Sequence, residues 1–151
     1  MIRILGSGTS QGIPVVACAC SVCRSTDERD KRLRTSVMIS REDTHVVIDA
    51  GPDFRQQMLR HHVRHLDAVL ITHSHKDHTG GLDDVRAYNW FQKQAMQIYG
   101  SEQVLQDLQQ QYPYAFGSDK YPGAPDMQLH AVDNEIFSVN SLAFIPIHAM
   151  N

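Results

Sequence analysis

The sequence predicts an α/β fold built on a mixed sheet, and three observations carry that prediction. Short runs of β-branched and aliphatic residues alternate with segments of helical periodicity. Two of the runs, 36–40 and 45–49, are separated only by a turn at Glu42 and Asp43, which makes them a hairpin. Other runs are followed by helix-length segments, the order expected when helices layer against a sheet. The 151 residues fit a single domain, 1–151, long enough to bury roughly 68–70% of the unfolded surface.

Residues 2–5 form the first strand, and the glycine-rich loop 6–12 turns the chain after it. Residues 18–34 are polar and irregular. The hairpin 36–49 follows, and then a helix to about residue 62, capped by Asp53 with Phe54, Met58 and Leu59 on one face. The next strand is 67–72. Helical spacing returns from Leu82 to about residue 93, and 96–99 is a strand. Ser101 caps a helix to about residue 111 with Val104, Leu105 and Leu108 inward. Three prolines and two glycines make 113–125 a long loop, and 127–131, 136–139 and 142–147 are strands.

Hydrophobic residues at 42% and charged residues at 21% are an ordinary globular balance. The net charge of −3 argues against non-specific nucleic-acid binding, and Arg24, Arg29, Lys31, Arg32 and Arg34 are read as a solvated face. No run approaches the roughly 18–20 apolar residues of a membrane span. The first residues enter a strand without a signal-peptide pattern. A cytoplasmic protein is therefore expected, and in that compartment three closely spaced cysteines point to metal rather than disulfide.

The chemistry concentrates at Thr72-His73-Ser74-His75-Lys76-Asp77-His78-Thr79-Gly80-Gly81, directly after the apolar run 68–71. Imidazole nitrogen and carboxylate oxygen are common zinc ligands. In an extended segment His73 and His75 share one side and can bind one metal. Asp77 and His78, beyond a turn, can face a second. Two metals roughly 3.5–4 Å apart can activate water and stabilise an in-line displacement. Upstream, Cys18, Cys20 and Cys23 form Cys-x-Cys-x-x-Cys, suited to one tetrahedral zinc that needs a fourth ligand.

Other candidates are plainer. His61, His62 and His65 read as a surface helix end and turn, and His45 and His130 as structural histidines in strands. Tyr88, Trp90 and Phe91 could line a substrate pocket, but packing of an amphipathic helix is the preferred reading. The loop with Ser7, Thr9 and Ser10 lacks the lysine of a nucleotide-binding P-loop and reads as a tight turn.

The segment 73–78 resembles the His-x-His-x-Asp-His motif of the metallo-β-lactamase superfamily. The resemblance implies an αββα sandwich, of which this chain would supply the first half and the start of the second. It also implies that His73 and His75 bind the first metal, that Asp77 and His78 bind the second, and that Asp49 in Val47-Ile48-Asp49-Ala50-Gly51-Pro52 orients a ligand histidine. Taken with residues 6–14, the cysteines and residues 48–55, the sequence is similar to one branch of the superfamily. That branch holds the phosphoribosyl 1,2-cyclic phosphate phosphodiesterases and the transfer-RNA 3′-processing endonucleases. The cysteine loop resembles the phosphodiesterase side, where three such cysteines and a later histidine hold a structural zinc. The next metal histidine of the family would fall near Asn151, with His148 as a candidate close by.

The expected function is thus hydrolysis of a small cyclic phosphodiester by a metal-bound hydroxide, with Asp77 a metal ligand near the nucleophile. The implied cofactors are two divalent metals, zinc or manganese, and one structural zinc. The alternatives are transfer-RNA trimming, or a non-enzymatic metal-binding half-domain. An uncovered sheet face would make a homo-oligomer or a complementing remainder of the fold the expected partner, with nucleic acid and membrane not expected.

Overall fold

The computed structural model describes residues 1–117 and 120–148; the ligand position expected near Asn151 lies outside them. Six strands make one sheet in chain order: β1 (Ile2–Gly6), β2 (Ser36–Arg41), β3 (Thr44–Ile48), β4 (Ala68–Leu70), β5 (Met96–Gly100) and β6 (Met127–Ala131). β1 to β3 are antiparallel neighbours, and β3 to β6 run parallel. The parallel half arises because helices separate its strands, and such crossovers return the chain in the same direction.

Those helices are α1 (Phe54–Arg60), α2 (Lys76–Thr79), α3 (Val85–Gln92), α4 (Glu102–Gln111) and α5 (Pro113–Phe116). The main core buries Phe54, Met58, Leu82, Val85 and Leu108 from the helical segments with Met38, Val47, Val69 and Ile98 from the strands. On the opposite face lies a hairpin, β7 (Phe137–Val139) and β8 (Leu142–Phe144). Its Val139 packs with Val46 and Ala68, and Phe137 stacks on Tyr99 with ring centres 5.0 Å apart. No helix among the described residues is long and apolar enough to cross a membrane.

Several local expectations change. Residues 113–116 are helical because Pro113, at the helix start, has no amide to leave unpaired there and has its φ preset. β8 ends at Phe144, not 147, two residues before Pro146, which has no amide to donate to a ladder. Asp53 does not cap α1 with its side chain; its carboxylate instead accepts from the Arg34 amide (2.8 Å) and from Arg34 Nη1 (2.9 Å). Trp90 and Phe91 are 69% and 80% exposed, against the core packing expected. The short α3 turns Val85 and Tyr88 inward at one helical spacing, which leaves 90 and 91 on other faces.

Candidate metal centre

β3 and β4 run parallel and end side by side, Ile48 beside Leu70. Asp49 and Thr72 follow these ends, so the histidine loop emerges where two buried strands deliver it. Open α/β sheets place their sites at this edge. Asp49 is 4% exposed and has φ +64°, a left-handed conformation that aspartate tolerates better than most residues. Its carboxylate accepts from the Thr72 amide (2.8 Å) and from Thr72 Oγ1 (2.8 Å to Oδ2). His78 Nδ1 lies 2.7 Å from Asp49 Oδ2. Ser36 Oγ donates to the Asp49 carbonyl (2.9 Å), which ties the strained residue to β2.

The loop is held by backbone contacts that only glycine permits. A Cβ on Gly51 would lie 2.0 Å from the Asp77 carbonyl oxygen, and one on Gly81 would lie 2.2 Å from the Gly51 carbonyl oxygen. In that close approach the Ala50 amide donates to the His78 carbonyl and the Gly81 amide to the Ala50 carbonyl, both at 2.8 Å. From below, Gln111 Nε2 donates to the Ser74 carbonyl (2.9 Å) and Tyr112 Oη to the Thr79 carbonyl (2.7 Å). Thr72, Gln111 and Tyr112 carried no sequence signal: Gln111 and Tyr112 lie more than thirty positions from their partners, and the adjacency is a product of the fold.

The hydrogen bonds decide which nitrogens are left for a metal. Thr72 donates its only hydroxyl proton to Asp49, so its oxygen can accept from His73 Nδ1, 3.0 Å away. His78 Nδ1 likewise spends its proton on Asp49. In a neutral ring held this way Nε2 keeps a lone pair, because a neutral imidazole has one donor and one acceptor nitrogen. His78 Nε2 faces Asp77 Oδ2 at 3.2 Å. With that nitrogen unprotonated, two acceptors at that distance repel unless a cation lies with them, an arrangement a metal would satisfy. A carboxylate behind a ligand histidine is the usual support of such a site. The His73 ring is centred 4.9 Å from His75 and 3.9 Å from His78. Burial first, and then the neighbouring His78, push the His73 pKa below the ordinary histidine value. This favours the neutral form that binds metal. His148 is exposed, and its Nε2 lies 3.6 Å from Asp133 Oδ1; no hydrogen bond or ring contact joins it to the histidine loop among the described residues.

The cysteine loop brings the Cys18, Cys20 and Cys23 sulfurs within 4.8 Å of one another. Among the described residues this is the one set of three or more ligand-type side chains so closely gathered; the donors of the histidine loop are spread more widely. Zinc–sulfur bonds of about 2.3 Å in a tetrahedron put the sulfurs roughly 3.8 Å apart, so a small contraction would seat the ion. The Cys23 amide, 3.4 Å from Cys20 Sγ, and the neighbouring thiols pull the Cys20 pKa down to about 7. The Val15 amide favours the Cys23 thiolate, but the neighbouring Cys18 and desolvation outweigh it and push that pKa up.

Residues 44–151 match a family model described as a beta-lactamase superfamily domain. The chain is 44% identical over 150 residues to an octanoyltransferase of Porphyromonas gingivalis, covering 98% of this chain and 30% of the relative. Among solved structures, it superimposes on a diphosphatase of the PhnP family with TM-score 0.87 and 37% identity, covering 97% of this chain and 55% of that one. It also superimposes on zinc-bound PqqB from Methylobacterium extorquens with TM-score 0.71 and 24% identity, covering 91% and 48%; this last likeness is one of fold. The chain spans about a third to just over half of the length of these relatives.

Proposed function

Because the chain belongs to the beta-lactamase superfamily, which includes metal-dependent hydrolases, we propose that it acts as a hydrolase at phosphorus, with a small cyclic phosphodiester as substrate. The observation that supports this most directly is the run of contacts from Asp49 through His78 to Asp77, which leaves an imidazole lone pair and a carboxylate facing one point. Bound there, two divalent metals, zinc or manganese, would supply an activated water and neutralise charge developing on the phosphate oxygens. His73 and His75 would hold one metal, and Asp77 and His78 the other. Asp49 positions His78 and, through Thr72, His73. The likeness to a diphosphatase supports phosphorus chemistry and makes a diphosphate the nearest rival substrate. The net charge of −3 and the cysteine loop weigh against transfer RNA.

Initial rates on a cyclic phosphodiester of a sugar, a linear diphosphate and a transfer-RNA precursor test this, with metals per chain measured alongside. The cyclic ester is expected to react fastest by about tenfold, or ~1.4 kcal/mol of transition-state preference. A faster diphosphate or RNA would reassign the substrate. Two bound metals without any rate would favour the metal-binding half-domain, completed by a second copy or by the remainder of the fold.

The cysteines carry a separate expectation. Elemental analysis of Cys20→Ser should show one zinc fewer per chain, with the hydrolytic rate at low temperature largely kept. An unchanged zinc count would remove the structural-zinc assignment.

A further inference from the structure

At the other end of the sheet lies a half-polar cavity of about 560 Å³ that the metal centre does not use. β2 and β3 are antiparallel, and Ser40 pairs with His45 near the amino end of β3. Asp49 follows the carboxyl end, so the two sites are roughly 13 Å apart along the strand.

Two polar atoms beneath the cavity have no partner. Ser40 is 8% exposed, yet its Oγ makes no hydrogen bond, and His45 Nδ1 is buried and unpaired. Buried polar atoms nearly always have partners, so each such exception calls for a missing one. Around them stand Arg3, Arg64, His61 and His62, with Glu42 the sole acid in the lining. Neither Arg3 nor Arg64 forms an ion pair among the described residues. Arg41 contributes only to the rim, since its guanidinium donates to the Ser141 carbonyl (3.4 Å). Burial first, then the charges of Arg3 and Arg60, push the His61 pKa down, as expected beside unneutralised cations.

We propose that this cavity binds a phosphate dianion, free or carried on a small molecule, with the Arg3 and Arg64 guanidinium groups as the charged clamp above Ser40 and His45. Guanidinium groups without a carboxylate partner select an anion, and guanidinium matches phosphate oxygens in a two-point geometry. The volume falls within the roughly 300–1,000 Å³ of small-molecule sites, which leaves room for a body behind the phosphate.

Calorimetric titration at constant ionic strength, with glucose 6-phosphate, inorganic phosphate and glucose, tests the assignment. One phosphate-dependent site per chain is expected. Equal affinity for both phosphates would identify the free ion as ligand, and tighter glucose 6-phosphate a phosphorylated molecule. Arg3→Gln should weaken binding about tenfold or more, the loss of a charge-assisted bond. The exposed Arg64→Gln, which does not threaten the fold, should weaken it severalfold and leave hydrolysis at the metal centre unchanged. His75→Ala should retain binding. The proposal is overturned by binding indifferent to both arginines, by binding lost in His75→Ala, by glucose binding equally well, or by no saturable binding at all.

Discussion

His75→Ala is expected to remove a metal from the histidine loop and to lower phosphodiester hydrolysis by more than about 100-fold. Losing a group that merely orients a ligand already costs about 10–100-fold in affinity or activity, so losing the ligand itself should exceed that. The position separates chemistry from folding. His75 is exposed, and its role in the loop is played by its carbonyl, which accepts from the His78 and Thr79 amides at 2.9 and 3.1 Å. Alanine keeps that carbonyl. The metal-free stability should therefore change by only about 0.5 kcal/mol, as for other surface replacements. Metal counting, initial rates and thermal melting of the metal-free protein check the three parts. An unchanged metal count would exclude His75 as a ligand, and an unchanged rate would place the chemistry elsewhere.

Gly51→Ala should do the reverse and strike the fold first. The added methyl would fall 2.0 Å from the Asp77 carbonyl oxygen and 2.9 Å from its carbon. Both are backbone atoms that no rotamer change can move aside. Overpacking a tight contact costs typically 1–3 kcal/mol, and we expect about 3 kcal/mol here. For a domain of this size each kcal/mol lowers the melting midpoint by about 2–4 °C, so a fall of roughly 6–12 °C is anticipated. Metal affinity should fall with it, because relieving the clash displaces Asp77. Gly117→Ala is the comparison, since among the described residues its Cβ would meet only the Pro113 carbonyl oxygen, at 3.2 Å. Equal melting points for the two variants would contradict the close docking of residue 51 on the histidine loop.

Much of the fold was legible because the periodic segments are long relative to their boundaries. The hairpin of β2 and β3, the strand ahead of the histidines and the Ser101-capped α4 stand where residue pattern and capping chemistry put them, with Ser101 Oγ accepting from the Val104 amide. Pattern and structure part where local and tertiary demands compete. Asp53 carries the signal of a cap, but the Arg34 guanidinium and amide offer its carboxylate a better set of donors. Trp90 and Phe91 look like core by composition, and only the packing of α3 shows that Val85 and Tyr88 take that face.

The sequence by itself determined the inventory of candidate ligands, the histidine and cysteine motifs and the alternation of strands and helices, because these are properties of residue type and short-range spacing. It named Asp49 through resemblance and placed it at the end of a strand. Only the tertiary structure decided what Asp49 touches, which imidazole nitrogens stay free, and that Gln111 and Tyr112 support the loop from the end of another helix. It also brought Arg3, Ser40, His45 and Arg64 around one cavity. Each of these depends on contacts between residues distant along the chain. Such contacts form when the parallel strands pack against the helices, and they leave no periodic trace in the sequence.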